Sequence, residues 1–256
     1  MVQRYAEDRG ISARDAVQTL MQVVVLRHLS LEGAQLIGGT ALVLGHGNPR
    51  FSEDVDLTGV MEPRALESGL KKAAIEIEGW LNAPAVLSLR KPHGRTWRMT
   101  CRLSRAESLQ LHVDTQPLRG LTTQSIIIRY PSISPFACAA VTVNEIMADK
   151  IVAVAYRRYL GGRDLFDLWF HWLGSERRVA AAPEIQQQVK AKLAQRSFSY
   201  HDFFSRLEAR GSPQTSLVRS REEWRRYLTA PFKKEAVLTE ITTAFRQLPE
   251  IFRDRR

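Results

Sequence analysis

Apolar positions along the first half of the chain follow two different periods. Short β-branched or apolar runs predict strands, because they are bounded by Gly, Pro and Asn clusters. Longer stretches with apolar residues at helical spacing predict helices, the first one opening at Ser12, a residue type that caps helix starts. The predicted strands are 34–37, 55–60, 85–89, 97–103, 109–114 and 126–129, and the predicted helices are 12–30, 41–44 and 64–82. We therefore expect a mixed α/β amino-terminal half.

From Val143 onward the strand signal largely disappears, and helical spacing dominates. Between the halves, residues 131–135 contain two prolines and two serines, which favour extended or turn conformations and predict a linker. The resulting organisation is an α/β domain with a mixed sheet and a leading helix at 1–130, followed by a mostly α-helical domain at 136–256. The helices predicted in the second domain are 143–160, 164–173, 183–195, 222–228 and 233–247.

Composition indicates a soluble globular protein that needs no disulfide or structural metal. The 256 residues are 44% hydrophobic and 25% charged. The longest apolar runs, such as 21–26, are far shorter than the roughly 20 residues of a membrane helix, and the amino terminus has no secretory h-region. Cys101 and Cys138 have neither zinc-ligand nor disulfide spacing, so we expect both to be buried. We predict a cytoplasmic protein without membrane contact.

The positive charge lies mainly in the second half of the chain. The formal net charge is +10, and residues 139–256 carry 21 basic and 14 acidic side chains, a net of +7. A basic surface beside a catalytic centre steers nucleotides or nucleic acid toward it. The alternative is a well-solvated surface with no polyanionic partner.

The strongest chemical signal is the pair Asp54 and Asp56, which flank Val55. On a strand, side chains two residues apart point to the same side, so both carboxylates can hold one cation. Magnesium prefers oxygen ligands and takes one or two protein carboxylates, while waters and substrate phosphates complete its shell. The pair thus predicts a site for Mg²⁺ or Mn²⁺. The alternative is that both aspartates are surface residues beside a turn.

A glycine-rich turn at Gly38, Gly39 and Thr40 supplies the complementary part of such a site. Glycines let backbone N–H groups approach a phosphate, and a helix beginning there adds a favourable dipole. Phosphates of a nucleoside triphosphate (NTP) are therefore expected between the turn and the metal.

This arrangement resembles the signature of the polymerase-beta-type nucleotidyltransferase superfamily. Gly39 and Thr40 are followed by 13 residues and then by Asp54 and Asp56. Two sequence segments are similar to those of the AbiEii/AbiGii toxin branch, whose members belong to toxin–antitoxin and phage-defence systems. They are Gly-Gly-Thr-Ala-Leu and Arg-Phe-Ser-Glu-Asp-Val-Asp-Leu. The resemblance places Arg50 and Ser52 at the nucleotide.

A second block carries the same resemblance, which spans roughly residues 10–172. It contains Lys150 in a helix and an Arg-Asp-X-X-Asp helix start with Asp164 and Asp167. The resemblance implies that these three residues lie near the nucleotide, with Lys150 at its β- or γ-phosphates. For Asp167, a surface ion pair or a helix cap is the alternative.

An active member of the superfamily is expected to have a third carboxylate on a later strand, which completes the metal site and assists the attacking hydroxyl. Asp114, at the end of the strand 109–114, is the candidate. His112 alternates in phase with it, so both side chains could face the site, although we interpret His112 as a packed or solvent-facing sheet residue.

The sequence thus predicts a metal-dependent nucleotidyltransferase of the NTP-using class, and the resemblance implies that it is the toxin of a type IV-like toxin–antitoxin or phage-defence system, with an RNA acceptor. Its catalytic residues are Asp54, Asp56, Asp114 and Lys150, and its partners are NTP, an RNA acceptor such as tRNA, and a possible cognate antitoxin. Two alternatives stay open. One is a nucleotide-binding toxin that acts without catalysis, and the other is transfer to a hydroxyl of a protein or small molecule.

Overall fold

A computed structural model describes most of the chain, in eight stretches. They are residues 2–30, 33–59, 62–90, 96–102, 108–116, 121–174, 178–212 and 227–253, without the side chains of 87–90, 96, 114, 116, 178 and 230. The chain divides into two compact units, Met1–Val141 and Thr142–Arg256.

In the described residues, seven strands form one mixed sheet in the amino-terminal unit, one strand more than the mixed α/β prediction contained. The sheet order is β3-β4-β5-β2-β1-β7-β6. The pairs β1/β7 and β2/β5 are parallel, and the other neighbours are antiparallel. The strands are β1 (Gln35–Ile37), β2 (Val55–Thr58), β3 (Ala85–Arg90), β4 (Thr96–Arg102), β5 (Ser108–Gln116), β6 (Thr123–Tyr130) and β7 (Ile133–Val141).

Four described helices accompany this sheet, and the second of them in chain order forms much of its core. They are α1 (Val2–Arg9), α2 (Ala13–Leu29), α3 (Gly38–Gly45) and α4 (Pro63–Leu81). Helix α2 begins where the sequence predicted, since the side chain of Ser12 accepts a hydrogen bond from the Asp15 N–H at 3.1 Å. Its apolar residues from Leu20 to Leu29 are fully buried, and Tyr130 on β6 donates to the Ala16 carbonyl at 3.0 Å. Helix α1 was not predicted.

The predicted linker at residues 131–135 is instead a hairpin turn at residues 131–132 followed by the first three residues of β7. Ser132 has φ +64°, and β7 starts at Ile133 and pairs antiparallel with β6. The boundary between the units consequently falls after Val141, and the predicted limits of 1–130 and 136–256 cut through β7. Cys101 and Cys138 are both free and buried, as expected.

The carboxyl-terminal unit is helical throughout its described part. The predicted segment 222–228 lies largely outside the described residues, whereas the others correspond to helices with shifted ends. None of the helices in the described stretches has the length and apolar character that a bilayer crossing requires. The elements are α5 (Val143–Tyr156), α6 (Gly162–Leu168), a π-helical turn (Trp169–Leu173), α7 (Arg178–Gln195), α8 (Tyr200–Gly211), a 3-10 turn (Ala230–Phe232), α9 (Glu235–Arg246) and α10 (Leu248–Phe252).

Candidate functional site

The two aspartates stand at the start of a central strand. Asp54 directly precedes β2 and Asp56 is its second residue, opposite Ile37 of β1. Val55 and Leu57 are fully buried, so the alternation of the strand directs Asp56 to the opposite side of the sheet from this core. The Asp54 side chain is 42% exposed. A buried apolar frame therefore presents a partly solvated carboxylate pair.

The first glycine of α3 packs against the second aspartate. Gly38 has φ +70°, and a Cβ built there would lie 2.7 Å from Asp56 Oδ2. Only a residue without a side chain fits this backbone conformation and this approach together. The first N–H groups of a helix have no acceptor within the helix, so α3 begins with N–H donors beside the carboxylate. The predicted glycine turn is thus the first turn of α3 itself.

Thr40 holds the loop that carries Asp54. Its fully buried hydroxyl is 2.8 Å from Ser52 Oγ and donates to the Asp54 carbonyl oxygen. The side chains of Thr40 and Ser52 therefore bind each other and the loop, and what Thr40 offers to a phosphate is its backbone N–H.

Arg50 brings a positive charge to the start of α3. Its side chain is almost fully buried, and a Cβ at Gly39 would lie 2.5 Å from Arg50 Nη2 and 3.2 Å from Ser52 Oγ. The guanidinium donates to the Phe51 carbonyl at 2.7 Å, which fixes its orientation. A guanidinium and a helix start on one side of the carboxylates form a setting that favours an anion.

Two glutamines of α2 support the same loop, and sequence reasoning did not identify them. Gln22 donates to the Ser52 carbonyl at 2.8 Å, and Gln18 donates to Glu53 at 2.9 Å and to Gln110 of β5 at 2.8 Å. Both side chains are buried. The signal was present in the sequence, since two amides four residues apart interrupt an otherwise apolar helix face.

His112 lies beside the first aspartate of the pair, on the side that its alternation with Asp114 allowed. Its Nδ1 lies 3.5 Å from Asp54 Oδ1, and its side chain is only 31% exposed. The interpretation as a packed or solvent-facing sheet residue missed this contact, because it arises from the parallel pairing of β2 and β5. His112 is positioned to orient the Asp54 carboxylate.

Asp114 is the register partner of Asp56 on β5. Its side chain lies outside the described residues, so its role as third carboxylate stays a prediction. Among the side chains that are described, no three His, Cys, Asp or Glu residues cluster as a metal site. Asp54 and Asp56 still supply the oxygen donors that Mg²⁺ prefers, in the number that it takes from a protein. The donor set fits a divalent cation.

Lys150, Asp164 and Asp167 come together inside the carboxyl-terminal unit. Lys150 Nζ lies 2.7 Å from Asp164 Oδ1 and 2.8 Å from Asp167 Oδ2, and Arg157 Nη1 lies 2.5 Å from Asp164 Oδ2. Asp167 is fully buried, so it is neither a surface ion pair nor an exposed cap. Buried charges require such pairing, and the cluster fixes the Lys150 ammonium in place.

A second buried cation lies nearby on α7. Lys192 Nζ is 2.6 Å from Glu145 Oε1 and 3.0 Å from Asp149 Oδ2, and Arg196 Nη2 is 3.5 Å from Asp149 Oδ1. These contacts join α7 to α5, which also carries Lys150. The two ionic clusters therefore order the unit around α5.

Comparison with known proteins identifies a family that matches most of the chain. The model of a family described as "Nucleotidyl transferase AbiEii toxin, Type IV TA system" matches residues 26–248. No curated protein matches the chain.

Solved structures share the fold at low sequence identity. MenT4, a nucleotidyltransferase toxin from Mycobacterium tuberculosis, has a TM-score of 0.59 at 17% identity, with 99% of this chain and 93% of that one covered. JHP933 from Helicobacter pylori has a TM-score of 0.56 at 18% identity, with 94% of each chain covered. A putative nucleotidyltransferase from H. pylori has a TM-score of 0.57 at 17% identity, with 96% and 99% covered.

Proposed function

Because the chain belongs to the nucleotidyl transferase AbiEii toxin family, we propose that it transfers a nucleotidyl group from an NTP to an RNA acceptor such as tRNA, and that this blocks translation. The reaction depends on Mg²⁺ or Mn²⁺ and takes place in the cytoplasm. A cognate antitoxin restrains it, in keeping with the type IV description of the family. Defence against phage is a natural role for such a toxin.

The observation that carries the proposal is the approach of Asp56 to the start of α3. A built Cβ at Gly38 would lie 2.7 Å from Asp56 Oδ2, while Arg50 lies against Gly39. An anion bound at the helix start is thereby within reach of an oxygen-liganded cation on the aspartates. This juxtaposition suits a triphosphate, whose oxygens bind cations and N–H donors together.

Each part of the site has a role in this transfer. The first N–H groups of α3 and the Arg50 guanidinium bind the phosphates, and Asp54 and Asp56 hold the cation. A divalent cation supplies charge neutralisation at the transferred phosphorus and orients the attacking and leaving oxygens. Asp114, the register partner of Asp56, is proposed to accept the proton of the attacking hydroxyl.

The resemblance adds Lys150, Asp164 and Asp167 to the proposed nucleotide site. Their mutual pairing holds the ammonium as a fixed cation. We assign Lys150 to neutralising charge on the leaving pyrophosphate. Positioning and electrostatic stabilisation of this kind supply most of the catalysis in phosphoryl transfer.

A labelling experiment tests the proposal. Purified protein is incubated with Mg²⁺, tRNA and an NTP labelled at either the α- or the γ-phosphate. Nucleotidyl transfer predicts α-label in the RNA and γ-label only in released pyrophosphate. Asp56→Asn is expected to abolish labelling, and Asp8→Asn on the exposed face of α1 is the matched control.

Parallel reactions with RNA-free protein extract or an aminoglycoside address the other acceptors. Label in one of these and none in RNA would show that the acceptor is wrong. The absence of label from every acceptor, with wild type and Asp56→Asn alike, would reject the enzyme.

A further inference from the structure

We infer that the carboxyl-terminal unit carries a docking surface for single-stranded RNA, formed by Tyr156, Arg158, Tyr159, Phe198, Arg206 and Arg210. We call it the arginine–aromatic surface. The inference rests on the proposed RNA acceptor and names the residues that would bind it.

Aromatic side chains are unusually exposed on this surface. Tyr159 is 57% exposed and Phe198 is 37% exposed, although large apolar groups normally avoid water. Phe198 follows α7 and stacks on Tyr156 at the end of α5, with ring centroids 4.1 Å apart and ring planes 21° from parallel. The stack forms a rigid apolar platform, and nucleobases stack on such platforms irrespective of their sequence.

Arginines surround the platform and are held in place. The Arg206 guanidinium lies 5.0 Å from the Tyr156 ring centroid and is bound by both carboxylate oxygens of Asp202, at 3.0 and 2.9 Å. Arg158 lies 5.2 Å from the Tyr159 ring centroid. Guanidinium groups that are already ordered lose less freedom when they bind a phosphate.

A further arginine fixes the loop that carries Arg158. Arg210 on α8 donates to the carbonyl oxygens of Arg157 and Arg158, the latter at 3.3 Å. Helix α8 thereby holds the end of α5 and the residues that follow it in one arrangement. The surface is thus prepared before any ligand binds.

The charge of this surface is not cancelled by the ionic clusters beneath it. Lys150, Lys192, Arg157 and Arg196 pair with the same number of carboxylates, those of Glu145, Asp149, Asp164 and Asp167. On the surface itself, Arg206 pairs with Asp202, Arg158 lies over the Tyr159 ring, and Arg210 donates to backbone carbonyl oxygens. An excess of positive charge beside exposed rings matches a chain that carries a phosphate at every nucleotide and unpaired bases between them.

Binding to a fluorescently labelled single-stranded RNA tests the inference, measured by anisotropy on the full chain without NTP. The double variant Arg158→Gln/Arg206→Gln should bind on the order of ten-fold more weakly, and its salt dependence should fall by roughly 0.7 per lost phosphate contact. The control is Arg4→Gln/Arg64→Gln on α1 and α4, which removes the same charge. Arg4 also has an i,i+4 aspartate partner, like Arg206.

The stacking part is tested at Phe198. Phe198→Leu keeps an apolar side chain but loses the ring face, so affinity should fall about five-fold or more with an unchanged salt slope. Phe198→Tyr keeps the face and should bind like the wild type. Thermal unfolding of each variant excludes loss of the fold.

Equal affinity of the arginine variant and its control would overturn the inference, as would equal losses in Phe198→Leu and Phe198→Tyr. Because no NTP is present, the result is separate from transfer. RNA labelling with unaltered binding in these variants would leave the proposed function standing without this surface. Binding at this surface without labelling of RNA would support the surface and contradict the proposed transfer to RNA.

Discussion

At the scale of single residues, the site depends on a contact that leaves no space for a side chain. Gly38 combines a positive φ with a close approach to Asp56 Oδ2, so a methyl group there both strains the backbone and displaces the carboxylate. Gly47 has the same φ of +70°, but a Cβ there would meet nothing within 4 Å. Comparing the same substitution at Gly38 and Gly47 therefore separates the effect of backbone strain from the effect of displacing the carboxylate.

Gly38→Ala should therefore lose nearly all nucleotidyl transfer, whereas Gly47→Ala should retain it. Both variants should lose stability by about 1 kcal/mol from the left-handed backbone, and Gly38→Ala should lose more because its Cβ also meets Asp56. Urea unfolding and labelling of RNA measure the two effects. Equal activity in the two variants would contradict the role given to Gly38.

His112 is predicted to act as a positioning residue through its contact with Asp54. His112→Asn should lower the rate of transfer and the affinity for Mn²⁺ by about ten-fold, as expected for partners that orient metal ligands. His46→Asn is the control, since His46 lies near Gln124, away from the aspartates. Normal Mn²⁺ affinity in His112→Asn would show that the contact does not orient Asp54.

Residue types and spacing were sufficient to predict that Asp56 and the glycine turn lie together, because these features are local in sequence. The roles of His112, Gln18 and Gln22 were not predictable in the same way. They depend on which strand lies beside β2 and on which helix covers the loop, and those contacts join residues far apart in the chain.

At the scale of elements, α4 is tied to α2 through one carboxylate. Glu76 accepts from Trp80 Nε1 at 2.9 Å, contacts His28 Nε2 at 2.8 Å and pairs with Arg27. Burial by itself raises the pKa of Glu76, but the hydrogen bonds from Trp80, Arg27 and His28 outweigh it and hold the pKa below its ordinary value of 4.5. A carboxylate with a depressed pKa stabilises the fold above its unfolded pKa and loses that contribution as the pH falls through the folded pKa.

Glu76→Gln should thus reduce the free energy of unfolding at pH 7 by about 1 to 2 kcal/mol, since bonds to charged groups are lost. Near pH 3 the difference from the wild type should shrink. Glu67→Gln on the same helix removes only an exposed pair with Lys71, so its effect should stay within about 0.5 kcal/mol. Urea unfolding at both pH values is the measurement. A deficit of the same size at both would contradict the account.

The Lys150 cluster should be the main electrostatic support of the carboxyl-terminal unit. Lys150→Met leaves the buried carboxylates of Asp164 and Asp167 without this cation and should cost about 3 to 5 kcal/mol. Adding Asp167→Asn should recover part of the loss, and the exposed control Lys190→Met should have little effect. Thermal unfolding of each variant is the measurement. Equal stability of Lys150→Met and Lys190→Met would refute the prediction.

Among the elements, the amphipathic helices and most strands could be predicted from periodicity. Strand β7 could not, because Pro135 and three alanines oppose a strand assignment on local propensity. Its pairing with β1 begins only at Ala139, so Pro135 lies outside that ladder and its missing N–H is tolerated. Helix α8 was not predicted either, although its sequence carries a local signal. Ser199 is its cap, and Phe203 and Leu207 are buried four residues apart.

At the scale of the whole molecule, the chain combines a mixed-sheet unit that presents carboxylates with a helical unit that carries most of the positive charge. The sequence predicted this division, and the sheet and its helical partner are both present. Part of the positive charge of the helical unit lies in the arginine–aromatic surface. An acidic pair for the cation and a basic surface for the acceptor are the two requirements of the proposed transfer.

Binding of Mn²⁺, followed by electron paramagnetic resonance, tests the central claim most directly. With a non-reactive NTP analogue present, the wild type and the Asp8→Asn control should bind Mn²⁺ with the same affinity. Asp54→Asn and Asp56→Asn should each bind it at least about ten-fold more weakly, because even indirect partners of metal ligands are worth about 10- to 100-fold. Unchanged Mn²⁺ affinity in folded Asp54→Asn and Asp56→Asn would contradict the account.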